Sequence, residues 1–244
     1  MRLLAIVTAA PIALAIAPAL TSGAAPLMAQ TTSAAPAGGS SAAASAALDR
    51  AVAAYKKAKT VRATFEQTLS NPLTGTKVDA SGELVMAQPN KLSVTFSQPA
   101  GDRIVADGRW LWVYLPSSAP NQVIKLPARN KGMGGVDMVS ELLSSPKARY
   151  TATDGGAASV GGRATRAVVL TPKTESAPLR KAIVWVDDRD ATVRQFEVTD
   201  GNGLVRTVRM TSWTPNAKVN ASTFSFTPPA NAKVVDQSML GGVR

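Results

Sequence analysis

Apolar and polar positions alternate through residues 82–116, a stretch rich in turn residues and poor in helix signals. Several of its apolar side chains recur at every second position: Leu84, Met86, Leu92, Val94 and Phe96. A period of two places these residues on one face of neighbouring strands. Asp107-Gly108 predicts a tight hairpin turn, after which Trp110, Trp112 and Tyr114 share one face of the next strand. The stretch therefore predicts an antiparallel meander with one large apolar face.

The same alternation predicts strands along most of the remaining chain. The predicted strands outside this meander are 61–69, 76–86, 122–126, 163–171, 180–187, 192–199, 204–213 and a last short strand, 223–227, ended by two prolines. Gly and Asp clusters between these strands predict turns. We count about eleven strands and find no internal repeat.

Two segments have helical spacing instead. The first has apolar residues at Leu48, Ala51, Val52, Tyr55 and Ala58, and we expect it to fill the core. The second follows the glycine-rich segment 130–135, ends before Pro146 and has these apolar positions: Met133, Val136, Met138, Val139, Leu142 and Leu143. A methionine-rich helix after a flexible entry is either a packed cap or a movable lid. Both interpretations of the second helix stay open.

The order helix, strands, helix, strands predicts the fold class. The pattern is mainly β, and one strongly curved antiparallel sheet with both helices against its concave side fits it. Residues 1–29 have a basic start, an apolar run and a small-residue cleavage site, which predicts a secretory signal peptide. Residues 30–45 are Ala/Ser-rich and predict a disordered lead-in, so that 46–244 would form a single domain.

Composition excludes several functional classes. The chain has no cysteine and no histidine, which rules out disulfides, a lipid-modified cysteine, His-dependent catalytic triads and His-based zinc sites. Lys and Arg exceed Asp and Glu by 27 to 16, which favours anionic partners. These basic residues are scattered singly over strands, so we do not expect nucleic-acid binding.

A set of short motifs in a fixed order resembles a known family. The motifs are Phe65-x-Gln67, Gly82, Pro89, Pro99, Asp107-Gly108, Leu111-Trp112-Val113-Tyr114, Leu170-Thr171-Pro172-Lys173, Gln195-Phe196 and Phe224-Ser225-Phe226-Thr227-Pro228-Pro229. Each motif alone is weak, but their order and spacing together resemble the periplasmic outer-membrane lipoprotein carrier family (LolA type). The resemblance covers about 46–237.

The resemblance implies a fold and a task. The fold is an unclosed antiparallel β-barrel of about eleven strands with an α-helical lid over an apolar cavity. The task is to accept triacylated lipoproteins from an inner-membrane ABC release complex in the periplasm, shield their acyl chains and pass them to an outer-membrane receptor. The resemblance implies neither catalysis nor a cofactor, and we expect a monomer.

One position departs from the family pattern. Better-known members carry an arginine before the proline of the second hairpin, where it bonds the lid backbone and holds the lid shut; this chain has Gln88. A neutral amide makes weaker hydrogen bonds than a guanidinium, so the resemblance implies a looser latch at Gln88.

We predict a cavity lining from the strand faces and the second helix. The predicted lining residues are Phe65, Leu84, Met86, Leu92, Val94, Phe96, Met133, Met138, Leu142 and Leu143. Each of them could equally be an ordinary core residue, and we expect Trp112 and Tyr114 to be structural.

Three rival functions remain at this point. A carboxylate-based hydrolase would pair Glu83 with Asp187 or Asp188. A half-barrel that binds lipid or senses envelope stress would share the cavity but carry no lipoprotein. A purely structural β module would have a filled interior.

Overall fold

The alternating segments form one twelve-stranded sheet in a computed structural model of the chain. The structure describes residues 41–128, 138–175, 177 and 179–236. The strands are β1 (Thr60–Asn71), β2 (Thr76–Ala87), β3 (Lys91–Gln98), β4 (Arg103–Asp107), β5 (Trp110–Tyr114), β6 (Gln122–Pro127), β7 (Tyr150–Val160), β8 (Arg163–Pro172), β9 (Leu179–Asp187), β10 (Val193–Asp200), β11 (Val205–Pro215) and β12 (Lys233–Asp236). The helices are α1 (Ser41–Lys57), α2 (Met138–Leu143) and α3 (Pro146–Arg149), with a 3-10 turn at Ala221–Phe224.

The sheet consists of two antiparallel meanders joined at β1 and β11. Its strand order is β12-β6-β5-β4-β3-β2-β1-β11-β10-β9-β8-β7, and only the short β12 pairs in parallel. The edge strands β12 and β7 do not pair with each other, so the barrel is unclosed. The predicted fold class, a mainly β unclosed barrel with helices, is confirmed.

The curvature of the sheet has local causes in two neighbouring strand pairings. The register shifts between Thr64 and Phe65 where β1 pairs with β11, and between Ser81 and Gly82 where β2 pairs with β3, and such bulges bend a strand. A Cβ at Gly82 would collide with the Thr95 carbonyl oxygen. Glycine is therefore required where β3 crosses this bend.

The main core lies on the concave face, beneath α1 and α2. Helix α1 lies against β7, β8 and β9, and it contacts α2. Its buried side is made of small residues around one leucine: Ala44, Ala47, Leu48 and Ala51. Small side chains let the helix axis approach the sheet closely, so this part of the interior is filled.

A second, smaller apolar layer covers the convex face of β3 to β6. The 3-10 turn packs on β3 and β4, and Phe224 is buried there. The Phe226 ring lies 5.9 Å from the Trp112 ring and 6.1 Å from the Tyr114 ring, measured between centroids. Trp112 and Tyr114 thus point away from the main core and hold the C-terminal segment against the sheet.

Four segments differ from the sequence-based expectations. The predicted strand at 223–227 is not a strand, because Phe224 and Phe226 pack on the convex face instead of pairing with a neighbour. Strands β7 and β12 were not predicted. Helix α1 begins at Ser41, within the predicted lead-in.

The remaining expectations for the N-terminus concern residues outside the described ranges. The predicted signal peptide, 1–29, and most of the lead-in lie there. None of the helices within residues 41–128, 138–175 and 179–236 combines the length and apolar character needed to cross a bilayer.

Candidate functional site

A cavity of about 70 Å³ lies between the concave face of the sheet and the start of α2. It occupies the part of the interior that α1 does not fill. Its lining comes from β1 to β4, from β10 and β11, and from α2: Phe65, Gln67, Leu84, Met86, Val94, Phe96, Ile104, Met138, Val139, Phe196, Arg206, Val208, Met210 and Trp213. All of these side chains except Gln67 and Arg206 are apolar or aromatic, so the cavity suits an apolar ligand.

Aromatic rings and thioethers shape the cavity wall. The Phe65 and Phe96 rings meet edge to face, with centroids 5.7 Å apart and planes at 88°. Met86, Met138 and Met210 add unbranched side chains that adapt to irregular apolar shapes. The wall can therefore adjust to a flexible hydrocarbon without breaking hydrogen bonds.

The structure brings most of the predicted lining residues to this cavity. Those at the cavity wall are Phe65, Leu84, Met86, Val94, Phe96 and Met138. Leu92, Leu142 and Leu143 are buried in the same core cluster but do not line the cavity. Met133 lies outside the described residues. Their role in lipid binding stays a prediction.

The lining residues that the sequence analysis missed lie mainly on β10 and β11. Phe196, Val208 and Met210 face the cavity because β11 pairs with β1 across a long sequence separation. Alternation along β11 placed Val208 and Met210 on one face, but it did not show which strand lies next to β11. That adjacency was the missing information.

Gln88 bonds the end of α1. Its Nε2 donates to the carbonyl oxygens of Tyr55 and Ala58, both at 3.0 Å, and its backbone N–H donates to the Lys59 carbonyl at 2.8 Å. The amide thus satisfies carbonyls that the helix end leaves without an intrahelical partner. Among the described residues, this contact ties α1 to the turn between β2 and β3, whereas the expected contact was with the lid.

Arg206 brings a positive charge to a cavity wall that is otherwise uncharged. It faces Leu69 on β1 and Val198 on β10, and Gln67 lies one pair further along the same face. Burial lowers the pKa of Arg206, and the nearby Asp200 carboxylate raises it. A guanidinium stays protonated under these opposing influences, so the cavity has one cationic end.

The carboxylates proposed for a hydrolase are not brought together. Glu83 on β2 forms an ion pair with Arg62 on β1 at 2.6 Å. Asp187, at the end of β9, is fully buried and accepts hydrogen bonds from Arg163 at 2.7 Å and from Arg194 at 2.9 Å. Four strand spacings of about 4.8 Å separate β2 from β9, or about 19 Å along the sheet. Carboxylate pairs in glycosidases lie within about 5–9.5 Å of each other. The described part of the chain also contains no cluster of three His, Cys, Asp or Glu residues suited to a metal ion.

Fold and cavity together define a class: an unclosed β-barrel that holds an apolar cavity beneath helices. The chain belongs to the outer membrane lipoprotein carrier protein (LolA) family, whose model matches residues 56–227. This match confirms the resemblance deduced from the motifs, and it associates the chain with lipoprotein transport.

Curated relatives cover most of the chain. The outer-membrane lipoprotein carrier protein of Methylibium petroleiphilum is 28% identical over 195 residues, covering 78% of this chain and 90% of the relative. The protein of the same name from Klebsiella pneumoniae strain 342 is 28% identical over 192 residues, covering 74% of this chain and 83% of the relative. An uncharacterized conserved protein from Thermus thermophilus has the same fold, with a TM-score of 0.52 and 14% identity over 80% of this chain and 99% of that chain. The relatives support a lipoprotein-carrier role.

Proposed function

We propose that this protein is a periplasmic carrier that takes up the acyl chains of lipoproteins released from the inner membrane and delivers them to the outer membrane. The observation that carries the proposal is the apolar cavity beneath α2 in a chain of the carrier family. The giving partner would be an inner-membrane ABC release complex and the accepting partner an outer-membrane receptor. The task requires binding and release, without a chemical step or a cofactor.

The size of the cavity implies that α2 moves during uptake. One water molecule needs about 10–15 Å³ of such a space, so about 70 Å³ accommodates only a small part of an acyl chain. Helix α1 is held to the rest of the protein by polar contacts: Asp49 pairs with Lys147 at 2.8 Å, and Arg50 donates to the Asp188 carbonyl at 3.2 Å. Helix α2 also has an ion pair, between Glu141 and Arg149 of α3 at 3.0 Å, but it is only six residues long and its first residue, Met138, lines the cavity. For these two reasons we assign the opening motion to α2.

The energy needed to open the cavity also makes release of the acyl chain feasible. Burying a sixteen-carbon chain yields about 12 kcal/mol, at about 0.8 kcal/mol per CH₂. Two fully buried chains would exceed the ~18–21 kcal/mol limit of known noncovalent affinities, and such a carrier would not release its cargo. A cavity that must be opened offsets part of this gain, because α2 gives up its own contacts whenever a chain enters.

A charge placed inside the cavity should test the proposal. Phe96 is half-buried at the wall, so Phe96→Glu lets the carboxylate reach solvent while it disrupts the apolar surface. We expect binding of a fluorescent acyl probe to fall by about tenfold or more. Leu92 is a poorer choice, since it is only 4% exposed and glutamate there would disturb the core itself.

Ser97→Glu is the matched control, because Ser97 is the next residue on β3 and is exposed on the convex face. Carriage itself is tested by incubating spheroplasts with the purified protein and measuring release of a labelled outer-membrane lipoprotein. Release by the wild type and the Ser97→Glu variant but not by Phe96→Glu is expected. Equal release by all three proteins would refute the proposal.

A further inference from the structure

The hairpin between β1 and β2 carries the most exposed large apolar side chains of the described residues. Leu73, at its tip, is 88% exposed, and Val78, five residues later on β2, is 55% exposed. The third such side chain within the described ranges is Val234 on the edge strand β12, which is 42% exposed. Two of the three therefore lie on one hairpin.

This hairpin projects beyond its neighbour in the sheet. Strand β2 pairs with β1 from Thr76 onward, but its pairing with β3 begins only at Ser81. At about 3.3 Å per residue, residues 76–80 extend about 16 Å past β3. On the other side, β11 accompanies β1 only as far as Ser70, so no described strand lies beside the turn 71–75.

The tip of the hairpin is an ordered turn that holds Leu73 outward. The Gly75 N–H donates to the Asn71 carbonyl oxygen at 2.9 Å, and the Leu73 N–H donates to Asn71 Oδ1 at 3.0 Å. These hydrogen bonds fix the backbone of the turn, while the leucine side chain stays in water, where its exposure is unfavourable. Transfer of this side chain into an apolar phase would lower its free energy without unfolding the turn.

The surroundings of the tip carry a positive charge on balance. Strands β9 and β11 both begin at the end of the sheet where this turn lies. Residues 68–79, 171–181 and 199–206 hold three acidic side chains, Asp79, Glu175 and Asp200, and five basic ones, Lys77, Lys173, Arg180, Lys181 and Arg206. This end of the sheet therefore attracts an anionic surface.

We propose that the β1–β2 hairpin docks this protein on an anionic phospholipid surface, with Leu73 inserted among the lipids and the basic side chains around it against the lipid phosphates. A narrow tip cannot supply the roughly 800 Å² per partner of a stable protein–protein interface, whereas a lipid surface accepts single apolar side chains and attracts basic ones.

Docking would also bring the cavity toward the membrane. Leu69 and Val78 pair with each other between the tip and the cavity residue Gln67, on the same face of the hairpin. The inference goes beyond the proposed function, because contact with a lipid surface does not require an acyl chain in the cavity.

Vesicle flotation tests the docking. The exported protein, isolated from the periplasm, is mixed with phosphatidylglycerol or phosphatidylcholine vesicles, and the wild type should bind the anionic vesicles more tightly. Leu73→Ser should weaken binding to phosphatidylglycerol vesicles about tenfold, because the leucine no longer leaves water. Lys77→Gln should weaken it about fivefold, since one cation near the surface is lost.

Two matched controls should bind as the wild type does. Val234→Ser removes an exposed apolar side chain on the edge strand β12. Lys57→Gln removes an exposed cation at the end of α1, which lies at the opposite end of β1 from the hairpin tip.

A single label locates the inserted residue. Because the chain has no cysteine, Leu73→Cys and Val234→Cys each create one labelling site. An environment-sensitive dye at residue 73 should shift its emission to the blue when phosphatidylglycerol vesicles are added, and the same dye at residue 234 should not.

The outcomes separate this inference from the carrier proposal. A wild type that does not float, equal binding by Leu73→Ser and Val234→Ser, or equal dye shifts at both positions would overturn docking through the hairpin and leave acyl-probe binding in the cavity untouched. Conversely, a wild type that floats but does not bind the acyl probe would overturn the carrier proposal and leave the docking in place.

Discussion

The two halves of the concave face are built for different tasks. Beneath α1, small side chains of the helix meet valines and leucines of β8 and β9, and Leu48, Val168 and Leu170 are at most 1% exposed. Beneath α2, the sheet presents Phe65, Phe96 and methionines around an open space. One sheet therefore has a filled half that supplies stability and a hollow half that is left open to a ligand.

The polar contacts follow the same division. The turn after β9 carries an ion cluster around the buried Asp187, which accepts from Arg163 and Arg194, while the exposed Asp190 pairs with the same two arginines. Among the described residues that line the hollow half, the polar side chains are those of Arg206 and Gln67. A protein of this family can therefore keep a weakly filled cavity, because the neighbouring half of the sheet supplies the free energy of folding.

The same substitution in each half tests this division most directly. Leu48→Ala leaves a closed void beneath α1, and we expect it to lower the free energy of unfolding by about 3–4 kcal/mol. Leu84→Ala only enlarges a space that is already open, so we expect about 1–2 kcal/mol. Urea denaturation of both variants measures the difference. Equal losses would mean that the hollow half is as tightly packed as the filled one.

The ion cluster should make the filled half sensitive to acid. Buried Asp187→Asn removes the charge that two arginines share, and we expect a loss of about 3 kcal/mol at pH 7. Burial alone would raise the pKa of Asp187, but hydrogen bonds from Arg163, the Arg189 and Asp190 amides and Arg194 outweigh it and hold the pKa well below its ordinary value of 3.8.

A carboxyl with a depressed pKa contributes stability above its unfolded-state pKa and loses that contribution as the pH falls. Because the unfolded chain takes up this proton at higher pH, the wild type should lose stability as the pH falls below about 4. Asp187→Asn should flatten that part of the profile, whereas Asp188→Asn, at the exposed neighbour, should not. Parallel pH profiles of wild type and Asp187→Asn would contradict the assignment.

Much of the curved sheet could be predicted because apolar residues recur at every second position along strands β1 to β3. Their inward residues, among them Phe65, Leu84 and Val94, reached the cavity as expected. Strand β7 could not be predicted, because an edge strand exposed along one side carries threonines, alanines and glycines in place of large apolar residues. Its pairing with β8 comes from the backbone and from the contact with α1.

The rest of the site depends on distant pairings. The cavity includes Phe196 and Met210 only because β11 lies beside β1, and this junction joins segments about 150 residues apart. Arg206 lies on a strand whose alternation is regular, but nothing local marks it as facing an apolar space. The available signal for Arg206 was that a charged residue occupies a position of β11 whose neighbours at every second position, Val208 and Met210, are apolar and inward.

Gln88 should have an intermediate effect, since it ties α1 to the sheet beside the hollow half. Gln88→Ala loses two neutral hydrogen bonds to α1, and we expect about 1–2 kcal/mol of lost stability. Because α1 contacts α2, a less firmly held α1 should also let α2 open more easily and speed the entry of an acyl probe. Gln88→Arg should slow entry, because its hydrogen bonds to the same carbonyls are charge-assisted. Gln98→Ala, at the other exposed Gln-Pro pair, is the control. Probe entry that responds equally to Gln88→Ala and Gln98→Ala would exclude a latch.

The smallest effect is expected at the first residue of α2. Met138 is half-buried at the cavity wall, whereas Leu142, one turn later, is 1% exposed in the core cluster. Met138→Ala should therefore lower the free energy of unfolding by less than about 1 kcal/mol, while Leu142→Ala should cost at least about 2 kcal/mol. If α2 is the moving element, stopped-flow measurements should show a faster release of the acyl probe from Met138→Ala, since fewer contacts hold the helix over the chain. Unchanged release from this variant would shift the opening motion away from the start of α2 and toward α1.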